Sequence, residues 1–135
     1  MIQTPLFKKT FALLFIIAVL NFISNELYLQ WTFWWIDVLL HFLSGATVAM
    51  ATIIVWNHFG RVSKFHKLKI IAVAVFSAFV VGIIWEIYEL YFGITFLSDG
   101  IVYVRDTASD LIMDICGGFF GTLHALSFQN NKEVN

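Results

Sequence analysis

Apolar residues dominate this chain in four long stretches, each broken by only a few polar side chains. A helix needs about 20 mostly apolar residues to cross a bilayer. Windows that meet this run roughly from Thr10 to Leu29, Trp35 to Trp56, Leu68 to Phe92 and Thr107 to Phe128. The pattern predicts an all-α polytopic membrane protein, an antiparallel bundle of four transmembrane helices, with residues 1–135 forming one membrane domain. The first window begins like a signal peptide, because Lys8 and Lys9 precede an apolar run from Phe11 to Leu20. No small-x-small cleavage site follows, and apolar character resumes through Phe22, Ile23, Leu27 and Tyr28, so a retained helix is expected. Between the last two windows, Ile94–Leu97 and Ile101–Val104 flank Ser98-Asp99-Gly100. That pattern predicts a short β-hairpin with an Asp-Gly turn, lying over the outer mouth of the bundle.

Composition agrees with a membrane. Of 135 residues, 60% are hydrophobic and only 13% charged, about half the charge of a soluble domain. The net charge of −1 excludes the dense basic surface that nucleic acid requires. Cys116 is the single cysteine, so neither an internal disulfide nor a cysteine-based zinc site is available, and it reads as a packing residue.

The basic residues set an expected orientation. Lys8 and Lys9 precede the first span, Arg61, Lys64, Lys67 and Lys69 fill the middle connection, and Lys132 follows the last span. The other two connections hold only Arg105 among basic residues, against Glu26, Asp99 and Asp106. The positive-inside rule therefore places both termini and the middle connection in the cytoplasm of a multi-pass cell-membrane protein. Trp31, Trp34 and Trp35, with Tyr88, Tyr91 and Tyr103, would then anchor the outer interface.

The acids inside the apolar windows change the picture most. A charge at the centre of a membrane helix costs roughly 2.5–3.5 kcal/mol, so such residues usually face the bundle interior and mark function. The second span carries Asp37 and His41, the third Glu86 and Glu89, and the fourth Asp106, Asp110 and Asp114. Spacings of three or four place each set on one helical face. With the spans alternating in direction, all seven fall in the outer half of the membrane, where Asn21 and Asn25 of the first span supply further polar groups. Seven titratable groups at one depth require either held protons or a cation. Carboxylates with one imidazole suit Mg²⁺, Mn²⁺, Zn²⁺ or Fe²⁺ without choosing among them. Asp37, His41, Glu86, Glu89, Asp110 and Asp114 are the candidate ligands of a divalent metal, in the way that bundle cores build carboxylate sites from facing helices.

Plainer roles compete for some of these positions. Asp106 or Thr107 suits the N-cap of the fourth span, and Thr107-x-x-Asp110 approximates a capping box. Asp37 and Glu89 lie near the interface, where solvation is an alternative. His58 and His66 fall in or beside the basic connection, and His124 lies at the inner end of the fourth span. Gly45, Gly82, Gly117, Gly118 and Gly121 read as helix-packing positions.

The strings Asp37-x-x-x-His41-Phe42-x-x-Gly45, Trp85-Glu86-x-x-Glu89 and Asp106-Thr107-x-x-Asp110-x-x-x-Asp114-x-x-x-Gly118 resemble the YjdF-like family of small bacterial membrane proteins. They are more loosely similar to VanZ-like proteins, from which Asp114 departs by standing where an amide is usual. The resemblance covers the last three spans and implies a bacterial inner-membrane location, with no secure activity. Motifs of zinc intramembrane proteases, phospholipid head-group transferases, aspartyl intramembrane proteases and nucleotide-binding loops are absent.

These residues suit metal-assisted hydrolysis or transfer of a lipid-borne group such as a phosphate, with membrane lipid as the partner. Glu89 and Asp110 are the candidates for acid–base work, and Arg105 for holding an anionic head group unless it pairs with Asp106. A divalent-cation or proton transporter is the alternative; four helices leave little room for an enclosed path, so it would need a homo-oligomer. A structural or sensing protein held together by its metal is the third reading.

Overall fold

The computed structural model describes residues 5–59 and 67–133. Arg61, Lys64 and His66, and the side chains of Trp31 and Lys132, lie outside the described residues. Among the described residues five α-helices follow one another: α1 (Pro5–Glu26), α2 (Leu29–Thr32), α3 (Trp34–His58), α4 (Lys67–Phe92) and α5 (Ile101–Glu133). A 3₁₀ turn, Leu97–Asp99, precedes α5. Helices α1, α3, α4 and α5 are each long and apolar enough to cross a membrane. At 1.5 Å per residue the shortest, α1 with 22 residues, spans about 33 Å against about 30 Å of hydrocarbon. The all-α four-span architecture is as the hydropathy pattern predicts.

The expected hairpin is not formed. Ile94 and Thr95 bend, Leu97–Asp99 makes a 3₁₀ turn, and Gly100 (φ 59°) passes the chain into α5 at Ile101. Two strands of four residues have no third strand to pair with and are marginal alone. Ile101–Val104 instead lengthens a helix already nucleated below, adding one backbone bond per residue. Helix α5 therefore starts six positions before the expected Thr107, and neither Asp106 nor Thr107 caps it. The first span is also displaced. It begins by Pro5, so Lys8 and Lys9 lie within the helix, and it ends at Glu26. The chain then turns at Tyr28, whose φ of 54° is left-handed, into α2. Helix α4 closes on Gly93, with the Ile94 N–H donating to the Glu89 carbonyl at 2.9 Å in the manner of a left-handed C-cap.

In lipid the hydrophobic effect does not drive helices together, so close contact depends on small side chains. The seam between α3 and α5, the most extensive in the fold, is built this way. A Cβ added at Gly45 would overlap the Asp114 carbonyl, one at Gly117 the Phe42 carbonyl, and one at Gly121 the Ala46 carbonyl. Gly118 faces Ala78 and Val75 of α4. The glycines singled out in the sequence are thus packing positions. Helix α4 presents a single buried stripe, Ile70, Ala74, Ala78, Gly82, Glu86 and Glu89, which passes from apolar to small to acidic along its length.

Helices α3, α4 and α5 pack on one another, whereas the main neighbour of α1 is α3. Toward the chain termini the interior is a dry cluster of Leu6, Ala49, Ile53, Ile70, Ala74 and Ala125 with its neighbours. Lys9 Nζ lies 4.4 Å from the centre of the Phe128 ring, so the start of α1 and the end of α5 share that end of the bundle. The polar residues gather toward the opposite end, where Trp34, Trp35 and Tyr91 are exposed.

Candidate functional site

Three helices supply the polar cluster. Helix α3 contributes Asp37 and His41, one turn apart near its start, and α4 contributes Glu86 and Glu89 near its end. Helix α5 contributes Asp110 and Asp114, about 40° apart around its axis and one turn apart in depth. His41, Glu86, Glu89, Asp110 and Asp114 are buried, and Asp37 is half-buried.

His41 is central. Its Nδ1 stands 3.1 Å from Asp114 Oδ2, and its Nε2 stands 3.9 Å from Asp37 Oδ1. Gly82 leaves the space that the Asp114 carboxylate fills, since a Cβ there would overlap Asp114 Oδ2. Glu86 Oε2 accepts a 2.6 Å hydrogen bond from the Thr107 hydroxyl, and Glu89 Oε1 accepts a 2.9 Å bond from the Trp85 indole. Both Asp110 oxygens and Glu86 Oε1 are buried with no hydrogen-bond partner. Asp110 is only 1% exposed, and an unpaired buried carboxylate costs several kcal/mol in its ionised form. Such groups require an explanation, and an ion or proton is the chemical candidate.

The donor set fits a divalent cation. Ligand atoms of His41, Glu86 and Asp110 all lie within 4.8 Å of one another, and so do those of Asp37, His41 and Glu89. Two ligands on opposite sides of an ion at about 2.1 Å are about 4.2 Å apart, so small side-chain rotations close either set. A third set, Asp37, Asp106 and Asp110, includes the exposed Asp106. Asp114 belongs to none of the three, being engaged with His41.

Six of the seven candidate site residues are therefore brought together. Arg105 is the exception: it is exposed on α5, about 140° around the helix from Asp110, and forms no ion pair with Asp106 among the described residues. Of the two asparagines on α1, Asn21 reaches the site's margin, where its Oδ1 accepts a 3.3 Å bond from Gln30 of α2, while Asn25 is exposed. Sequence reasoning missed Trp85 and Thr107 as partners of the acids. Their signals were present: Trp85 lies four residues before Glu89, and Thr107 lies one turn before Asp110 on its face.

A groove of about 300 Å³ leads to the cluster. Its walls are Leu14, Ile17 and Ala18 of α1 and Val81 and Trp85 of α4, over a floor of α3. At its polar end are Asn21, Asp37, His41 and Asp114. Leu14, Val81 and Trp85 are exposed, so the groove is open along its side between α1 and α4.

No curated protein and no solved structure matches the chain. A family described as "Predicted membrane protein (DUF2238)" matches residues 2–131, nearly the whole sequence and every helix that bears the cluster. The chain belongs to this family of predicted membrane proteins.

Proposed function

We propose that this protein is a metal-dependent membrane enzyme that hydrolyses or transfers a phosphate group carried on a lipid. The observation that carries the reading is the set of buried, unpartnered oxygens on Asp110 and Glu86 beside the His41 ring. Carboxylates with one imidazole suit Mg²⁺, Mn²⁺, Zn²⁺ or Fe²⁺. A bound ion of this kind polarises a phosphoryl oxygen and activates water. His41, Glu86 and Asp110 form one ligand set, and Asp37 and Glu89 extend it toward a second. Asp114 acts on His41, fixing the ring through Nδ1 and leaving Nε2 for ligation. Glu89, or Asp110 where it does not ligate, takes the proton of the attacking water. The water oxygen joins phosphorus, the bond from phosphorus to the lipid oxygen breaks, and that oxygen leaves as the alcohol with the proton that the carboxylate took from the water. Arg105, the one basic residue at this end among the described residues, lies outside the cluster and draws anionic head groups to the membrane surface ahead of the site. The site's three motifs keep the chain's resemblance to YjdF-like proteins, and with it a bacterial inner-membrane setting.

The rival reading is a cation or proton route. The far half of the bundle speaks against a through-path. Thr47, Thr52, Ser77 and Thr122 each donate to the carbonyl four residues earlier in their own helix, so their hydroxyl protons are spent within the helices. His124 is exposed and packs edge-on against Phe128.

Purified protein should hold about one or two divalent ions per chain. Glu86→Gln and Asp110→Asn should each weaken metal binding about tenfold or more, measured by elemental analysis. Protein that stays metal-free, with stability unchanged by Mg²⁺, Mn²⁺, Zn²⁺ or Fe²⁺, would reject the site. In liposomes, phosphate release without ion flux supports the enzyme. Flux abolished by Asp114→Asn, with no lipid turnover under any tested metal, would replace it with a transporter, and bound metal with neither activity would leave a structural role.

Orientation follows from Lys8, Lys9, Lys67 and Lys69, which lie at the end opposite the acids and carry the termini into the cytoplasm. A reporter active only outside the cytoplasm should be silent when fused after Asn135; a signal there would invert the topology.

A further inference from the structure

The groove between α1 and α4 gives the site a substrate class. Three features define it. It is continuous with the site, because Asp37, His41 and Asp114 form part of both. Its titratable groups lie only toward that end; deeper in, Ser44 and Thr47 are its polar residues, the Thr47 hydroxyl being spent on the Leu43 carbonyl, and the walls are Leu14, Ile17, Ala18, Val48 and Val81. Its side is open between two helices that cross the membrane.

A soluble phosphate ester would approach the acids from the water at the helix ends and would have no use for an apolar groove opening sideways. An amphiphile already in the bilayer has the matching shape: a chain along the apolar wall and a head at His41. At about 300 Å³ the groove is at the small end of ligand sites, which run from about 300 to 1,000 Å³. That volume suits one chain better than two. We infer that the groove seats one hydrocarbon chain of a single-chain lipid phosphate, entering sideways from the bilayer between α1 and α4, with its phosphate delivered to His41. The inference rests on the site's reading as one for phosphate esters, which decides the head group.

Helix α1 is suited to form the movable wall. It leans chiefly on α3, most of its surface is exposed, and Leu14, Ile17, Ala18 and Asn21 recur on one face toward the groove. Ala18 keeps that wall low. A phenylalanine there would take up groove volume from the α1 side, on a helix that carries none of the candidate ligands.

The test uses metal-loaded full-length protein in phosphatidylcholine vesicles, with hexadecyl phosphate carrying a diazirine midway along its chain. After photolysis, label should collect at Ile17 and Val48 and fall about tenfold in Ala18→Phe, the loss expected when a hydrophobic pocket no longer accepts its group. Metal content of the variant should stay unchanged, which separates a filled groove from a misfolded chain; Val81→Phe should do the same from the opposite wall. Excess hexadecyl phosphate should displace the label and methyl phosphate should not. Label spread evenly over lipid-facing residues such as Phe15 and Ile84, and not displaced, would overturn the groove. Phosphate released from methyl phosphate by protein that shows no groove label would overturn the groove alone. Displaceable groove label with no phosphate release from any ester would leave the chain-binding groove standing and remove the enzyme.

Discussion

Leucine at Gly121 should separate α3 from α5 and leave a chain that aggregates when extracted into detergent. The added side chain meets backbone, namely the Ala46 carbonyl, and not the end of a flexible side chain that can rotate away. Relief requires the helices to move apart. That movement also breaks the contacts of Gly117 with the Phe42 carbonyl and of Gly45 with the Asp114 carbonyl, because all three lie on one seam. Overpacking typically costs about 1–3 kcal/mol and more where backbone must shift. Against total stabilities of about 5–15 kcal/mol, a loss spread over three contacts is severe. Gly118→Ala, which meets the Ala78 side chain, should be milder. Thermal unfolding followed by circular dichroism in detergent reads both, and a Gly121→Leu protein melting with the parent would refute so close an approach.

The second large effect has opposite signs with and without metal. Asp110→Asn should raise stability in chelator and abolish the stabilisation that added metal gives. Asp110 is 1% exposed and neither oxygen has a partner, so in the metal-free protein it is a cost to folding. A buried carboxylate carries an effective desolvation penalty of several kcal/mol when ionised, and a neutral amide of nearly the same shape does not. With a tightly held ion, the parent gains about 2.7 kcal/mol at a hundredfold excess over the dissociation constant, and the variant loses that gain. Paired melts with chelator and with Mg²⁺, Mn²⁺ or Zn²⁺ measure the crossing. A variant less stable than its parent in chelator would mean that Asp110 holds the bundle together by itself, and the case for an ion there would fall.

The helices and most of the cluster were legible because both depend on periodicity. Asp110 and Asp114 share a face whatever surrounds them, and the step of four between Asp37 and His41 does the same on α3. Asp106 continues that face and comes within 4.8 Å of Asp37 and Asp110, yet it is exposed, being one turn nearer the open end of the bundle than Asp110. The hairpin was misread for a related reason. Ile101–Val104 has the β-branched composition of a strand, but a strand needs a partner, and only a helix satisfies its backbone alone. The pairing of Trp85 with Glu89 follows helical spacing and could be inferred. The groove could not, since it depends on how α1 leans against α3, and the first span looks generic apart from Asn21 and Asn25. The division of labour around His41 was equally hidden. It turns on Gly82, whose missing side chain admits the Asp114 carboxylate, and a glycine in sequence does not say which neighbour uses its space.

The dry interior between Ala49, Ile53, Ala74 and Ala125 also has an electrical consequence. A membrane potential falls mainly across material that neither water nor ions enter, and here that material occupies the half of the bundle holding the chain termini. His41 is eight residues into α3, about 10 Å from the other end of the helix. A charge exchanged there from that side crosses only the lesser part of the field, out of about 2.3 kcal/mol per elementary charge at 100 mV. A divalent ion crossing about a quarter of that field changes its energy by about 1 kcal/mol per 100 mV, so the occupancy of the acids should follow first the ion concentration of the compartment they open to and only second the cell's membrane voltage.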